Sequence, residues 1–313
     1  MLRVILLFLL LGVLPATAQE APPPTPAEGN GTSTIADTDL AFEPADLRMT
    51  VPVRIAGAGP YRFIIDTGAQ RTVISRELAG TLGLAGGRDV RVTSMTGVSV
   101  SRTVTIPSIS VSTLGGRQIE APALEARNIG ASGLLGIDAL QGHSVGIDFD
   151  ANFMSLRPAS RRASRERHSP DEVVIRARSL FGQLVVTDAY VDGIRVRMVV
   201  DTGSPVSIGN EALRRRVAGR AKPGPPIRLL GVTGEWMEAP YGSVTRVRLG
   251  SLTIGNLPVA FADVRPFQVF GLADKPAIML GMDALRLFRR VEIDFANREV
   301  RMLLPRDVMK ETG

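Results

Sequence analysis

Two carboxylates stand at the ends of matching apolar runs, Phe63-Ile64-Ile65-Asp66-Thr67-Gly68-Ala69 and, 135 residues later, Met198-Val199-Val200-Asp201-Thr202-Gly203-Ser204. One Asp-Thr-Gly is a common way for a strand to end in a turn; two, each at the same place within a longer repeat, imply a pair. If the repeats pack about an approximate two-fold axis, Asp66 and Asp201 face each other. Two carboxylates within a few ångströms do not both ionise easily, so the pair holds a single proton. One can then act as base on a bound water while the other protonates the carbonyl oxygen under attack. This chemistry calls for no metal, cofactor or nucleophilic side chain. Gly68 and Gly203 let backbone approach the carboxylates, and the hydroxyls of Thr67 and Thr202 can donate across the interface and lock the two turns together.

The elements that must position these residues are legible as a duplicated unit. The first copy opens with Met49 to Ile55, turns over residues 56–60 and runs through Tyr61 into Asp66; the second opens with Leu184 to Val191, turns at Asp192-Gly193 and runs into Asp201. Asp-Gly between alternating runs is a strong hairpin signal. Nine residues after each Asp stands a helix N-cap candidate, Ser75 and Asn210. Thr-Gly turns follow, Met95-Thr96-Gly97 and Thr233-Gly234 with Trp236 just beyond, as hairpin tips that could close over an extended substrate by strand-like hydrogen bonding. Later each copy carries an apolar run ending in Gly, Leu134-Leu135-Gly136 and Met279-Leu280-Gly281, and closes on Ile-Asp-Phe at 147–149 and 293–295. The expected class is therefore all-β with short helices, in two lobes, 42–158 and 171–305, related by a pseudo-two-fold axis.

At the N-terminus, Arg3, the apolar run Val4 to Leu14 and Ala16-Thr17-Ala18 read as a secretory signal over 1–18. The run is shorter than the roughly 20 apolar residues of a membrane span, so no stable membrane association is expected once the signal is cleaved. Residues 19–41 form a Pro-rich leader, 159–170 a basic linker and 306–313 a tail. Cys is absent, which removes disulfides and thiol chemistry. Only His143 and His168 are available as imidazole ligands, far apart in sequence, so no metal is expected. Basic residues outnumber acidic by 37 to 31, concentrated at Arg157 to Arg167 and Arg214 to Arg216, but aromatics are 5% of the chain, too few for the basic-aromatic interleaving of a nucleic-acid surface.

Other recurring carboxylates have structural readings: Asp138 and Asp283 as helix N-caps after the Gly, Asp148 and Asp294 as strand-end or hairpin positions. Asp148, Asp150 and Asn152 lack the Gly and distal Glu of a calcium loop, no Gly-x-Ser-x-Gly elbow is present, and Gly57-Ala58-Gly59 lacks the third Gly and helix of a dinucleotide site.

With both Asp-Thr-Gly-(Ala/Ser) motifs and both apolar-apolar-Gly motifs in place, the chain resembles the bacterial retropepsin-like aspartyl proteases over residues 42–305. The resemblance implies a retropepsin unit duplicated in tandem, with one active site formed inside a monomer from Asp66 and Asp201, no cofactor, and a polypeptide substrate. Export to a periplasm fits it best, with secretion the other destination. The alternative reading is a non-catalytic peptide-binding or regulatory module in the cell envelope. Nicking after Arg162 or Arg167, or trimming of the leader, would be a means of control. Pro205 departs from the pattern by removing a backbone donor where the first copy has Gln70.

Overall fold

A computed structural model of the chain describes residues 39–41, 44–45, 48–111, 114–159, 171–180 and 182–305. The signal, nearly all of the leader, the linker beyond Ala159 and the tail lie outside the described residues. Among those described, no helix is long and apolar enough to cross a membrane.

The chain is mostly β and folds as two lobes built to one plan. Each lobe begins with a hairpin, Arg48–Ile55 with Ala58–Ile65 and Gln183–Val191 with Ile194–Val200. The turn expected over residues 56–60 is only two residues long. Ala56 and Gly57 have φ of 49° and 82°, and Asp192 and Gly193 have 47° and 82°, so both hairpins close on the twisted two-residue turn that matches strand twist. Pro60 falls at the exposed start of its strand, where a missing N–H breaks no buried ladder.

Past each Asp-Thr-Gly the chain loops and returns. Gly133–Leu135 runs parallel to the strand ending at Ile65 and antiparallel to Val73–Ser75; Ala277–Leu280 does the same between Ile194–Val200 and Ile208–Gly209. The apolar-apolar-Gly segments are therefore the central strands under each turn, and their Leu135 and Leu280 carbonyls accept from the Asp66 and Asp201 amides at 3.0 Å. Ser75 and Asn210 cap short helices, accepting from Leu78 N at 3.1 Å and Leu213 N at 2.9 Å.

The N-cap reading of Asp138 and Asp283 is corrected. Gly136 and Gly281 hold the cap positions, and the aspartates sit inside the helices with their side chains turned back to the loops that follow the Asp-Thr-Gly turns. Asp138 accepts from the Thr72 amide and hydroxyl at 2.8 and 2.7 Å; Asp283 accepts from the Ser207 amide and hydroxyl at 2.9 and 2.7 Å. A carboxylate satisfied by two donors on the returning loop fastens that loop to the helix.

The lobes also share a sheet. His143–Asp148 of the first pairs antiparallel with Arg290–Asp294 of the second, Ser144 facing Asp294 and Asp148 facing Arg290, a register that maps on to itself when the repeats are exchanged. Arg290 to Asp148 and Arg289 to Asp150, each at 2.7 Å, tie its rim. Above this sheet one core runs through both lobes, and two further apolar clusters lie nearer the cleft, one in each lobe.

Candidate active site

Alternation decides which residues reach the cleft. Phe63 and Ile65 point into the main core, whereas Ile64 joins the first lobe's cleft cluster; Met198 and Val200 point into the core and Val199 joins the second lobe's. Asp66 and Asp201, next in step with Ile64 and Val199, both line the cleft between the lobes, a cavity of about 500 Å³.

The turns interlock. Thr67 Oγ1 donates to Val200 O and Thr202 Oγ1 to Ile65 O, each at 2.8 Å, while the Thr67 and Thr202 amides donate to the opposite hydroxyls at 3.2 and 3.1 Å. Each buried hydroxyl thus gives one bond and receives one across the boundary, so neither is left unsatisfied. Gly68 and Gly203 lie against the opposite carboxylates: a Cβ on Gly68 would stand 2.7 Å from Asp201 Cγ, and one on Gly203 would stand 2.2 Å from Asp66 Cγ. No other residue type permits that approach.

Within its own turn, Asp66 Oδ1 accepts from the Gly68 and Ala69 amides at 2.9 and 2.8 Å, and Asp201 Oδ1 accepts from the Gly203 amide at 2.9 Å. The electrostatics differ. Asp66 is half-buried and open to the cleft, whereas Asp201 is 2% exposed. Burial raises the proton affinity of both; for Asp201 the negative charge of Asp66 adds to it and pushes the carboxyl up to about 8. The rise in each carboxyl is opposed by two amides of its own turn, so the deeper burial of Asp201 and the charge of Asp66 beside it give Asp201 the stronger hold on a proton. Such an arrangement can deprotonate a water and protonate an oxygen in one step.

The expected tip residues divide into two sets. Met95 and Trp236 line the cleft. Met95 packs on the second lobe's cluster and its carbonyl accepts from Arg265 N at 3.2 Å; Trp236, 48% exposed, carries Arg228 at 4.7 Å over its ring. Of the others, Thr96 and Thr233 join tip to tip, while Gly97 and Gly234 shape the turns that carry them. Thr96 Oγ1 reaches Glu235 Oε2 at 3.4 Å, Thr233 Oγ1 donates to Ser94 Oγ at 2.9 Å, and the Gly97 amide closes its own turn on Ser94 Oγ at 3.1 Å. Gly234 crosses Asn128, where a Cβ would stand 2.8 Å from Nδ2. Val232 packs on the first lobe's cluster as Met95 does on the second's, so each tip leans on the opposite lobe.

Sequence reading overlooked Ser94, Glu235, Arg48 and Gln183. The last two carried a signal, their separation of 135 residues, equal to that of the aspartates. Among the described residues no group of three His, Asp or Glu could hold a metal ion.

A family model described as aspartyl protease matches residues 51–139 and 187–284, one match in each lobe and together more than half of the chain. No curated protein matches it.

Proposed function

The chain belongs to the aspartyl protease family, and from that premise we propose that it is a single-chain aspartic endopeptidase in which Asp66 and Asp201 together hydrolyse peptide bonds of extended polypeptides. The observation that carries this is the approach of each turn glycine to the opposite carboxylate, which brings two acids so close that the ionisation of one opposes that of the other. Asp66 takes a proton from water as its oxygen attacks the scissile carbonyl carbon, and Asp201 gives its proton to the carbonyl oxygen. The tetrahedral intermediate collapses with a proton passing to the leaving nitrogen; the C–N bond breaks, one water is consumed, and the pair again holds one proton. The extended cleft, walled by strands Gly86–Thr93 and Lys222–Leu230, suits a chain that adds strand-like bonds. Export follows from residues 1–18 and puts the activity in the periplasm; fractionation of cells making the chain with and without that segment tests it.

Incubation of residues 19–313 with a diverse library of unstructured peptides from acid to neutral pH tests the activity. Cleavage by the native protein, abolished in both D66N and D201N, is the expected result. Cleavage that survives either substitution refutes the dyad.

A further inference from the structure

The lobes differ at one pair of positions directly beside the carboxylates. In the first, Thr50 faces Ile64, and the same register carried two residues on sets Arg48 opposite Asp66. In the second, Val185 faces Val199, which carried on sets Gln183 opposite Asp201. Directly opposed residues have Cβ atoms about 4.5–5.5 Å apart and share a face of the sheet. Arg48 indeed lines the cleft with Asp66, its guanidinium reaching Gly130 at the end of the helix Ala126–Ile129, where a Cβ would stand 2.5 Å from Nη2. Gln183 is fully buried, and its Nε2 donates across the boundary to Gly68 O. One position of the repeat thus holds a cation in one lobe and a neutral amide in the other.

We infer that Arg48 is a positioning residue that breaks the two-fold symmetry of the dyad, holding the negative charge on Asp66 and the shared proton on Asp201. The two one-proton arrangements of a symmetric pair are equal in energy, and a cation on one side separates them. A guanidinium serves because it stays charged at every accessible pH. Arg48 is the cation acting to lower the proton affinity of Asp66, while the charge weighing on Asp201 is that of Asp66 itself. The other arginines lining the cleft, Arg71, Arg91, Arg127 and Arg228, are exposed and screened by water and salt. Behind the turns, Asp138 and Asp283 are engaged by Thr72 and Ser207. Where the proposed peptidase reading holds, acid and base are assigned before substrate arrives, so a peptide is cleaved in one direction across the cleft.

Carboxyl ¹³C titration of Asp-labelled protein, with D66N and D201N for assignment, decides this without turnover. In the native protein Asp66 should ionise first; in R48Q its step should rise by roughly one pH unit, and R48K should leave it in place. In a cleavage assay the acid limb of kcat/KM should move with it, a loss of about tenfold below the limb. An unmoved Asp66 step in a folded R48Q overturns the inference. So does a native protein whose aspartates titrate alike or in the reverse order, a result that stands even where R48Q does not fold. A native protein that cleaves nothing but titrates in the stated order refutes the peptidase proposal and leaves the role of Arg48 intact.

Discussion

The two lobes agree in everything that holds the aspartates and differ in what surrounds them. Each supplies a threonine that bonds across the boundary, a glycine pressed on the opposite carboxylate, and an aspartate that pins the returning loop through a hydroxyl residue, Thr72 or Ser207. Around these, the first lobe has Arg48, Gln70 and a small cleft cluster of aliphatics; the second has Gln183, Pro205 and a broader cluster with Phe267, Phe270 and Leu272. Duplicated parts meet at the axis, where any change must fit both copies of the geometry. Away from it the copies are free to part, and the result is a symmetric frame around an electrostatically unequal pair.

Removing either carboxylate breaks the symmetric frame's purpose and carries the largest effect: D66N and D201N should each lower kcat/KM by about 10³-fold or more, within the range for loss of acid–base catalysis, measured on the best library peptide. The turn glycines come next, and unequally. A methyl on Gly203 meets Asp66 Cγ at 2.2 Å, against 2.7 Å for Gly68 and Asp201, so G203A should lose more activity and more stability than G68A; overpacking of this kind costs about 1–3 kcal/mol. Equal losses would mean that the turns relax alike.

Stability against pH reports on the more deeply buried aspartate. Asp201 is pushed up from 3.8 to about 8, so the folded protein keeps a proton that the unfolded chain releases. Its stabilising contribution is complete below the unfolded value and is lost as pH rises through the folded one, by ~1.4 kcal/mol for each unit of separation. D201N should therefore gain in melting temperature over the native protein at pH 8 relative to pH 4, even as it loses activity. A difference independent of pH would count against a protonated Asp201.

The boundary threonines test the part held in common. T67V and T202V each orphan a carbonyl and an amide in a buried place, at a cost of about 1–3 kcal/mol per unsatisfied group, and denaturant titration should find the two nearly equal. The smallest effect belongs to the tips. T233V removes the hydroxyl that contacts Ser94 and Glu235 and should cost about 1 kcal/mol in substrate binding, read as a rise in KM with kcat unchanged.

Much of this was legible in advance because it is local. The turn at Asp192-Gly193, the caps at Ser75 and Asn210 and the repeat of Asp-Thr-Gly each rest on a backbone preference or side-chain reach that spans a few residues. Turn length at 56–60 was misjudged because Gly59 and Pro60 look like turn residues, although an exposed strand start accepts them. Asp138 and Asp283 were misread because a carboxylate at a helix start has a ready local use, while their partners Thr72 and Ser207 lie 66 and 76 residues away.

The sequence by itself determined a duplicated strand-rich unit with one carboxylate turn per copy, since composition, alternation and repetition are properties of the chain read in order. Tertiary structure alone decided that Arg48 stands beside one carboxylate and Gln183 beside the other, that the tips lean on opposite lobes, and that Asp201 is the more buried acid. The first depends on strand register within each hairpin, and the other two on packing between segments more than a hundred residues apart, a contact that the order of the chain does not record.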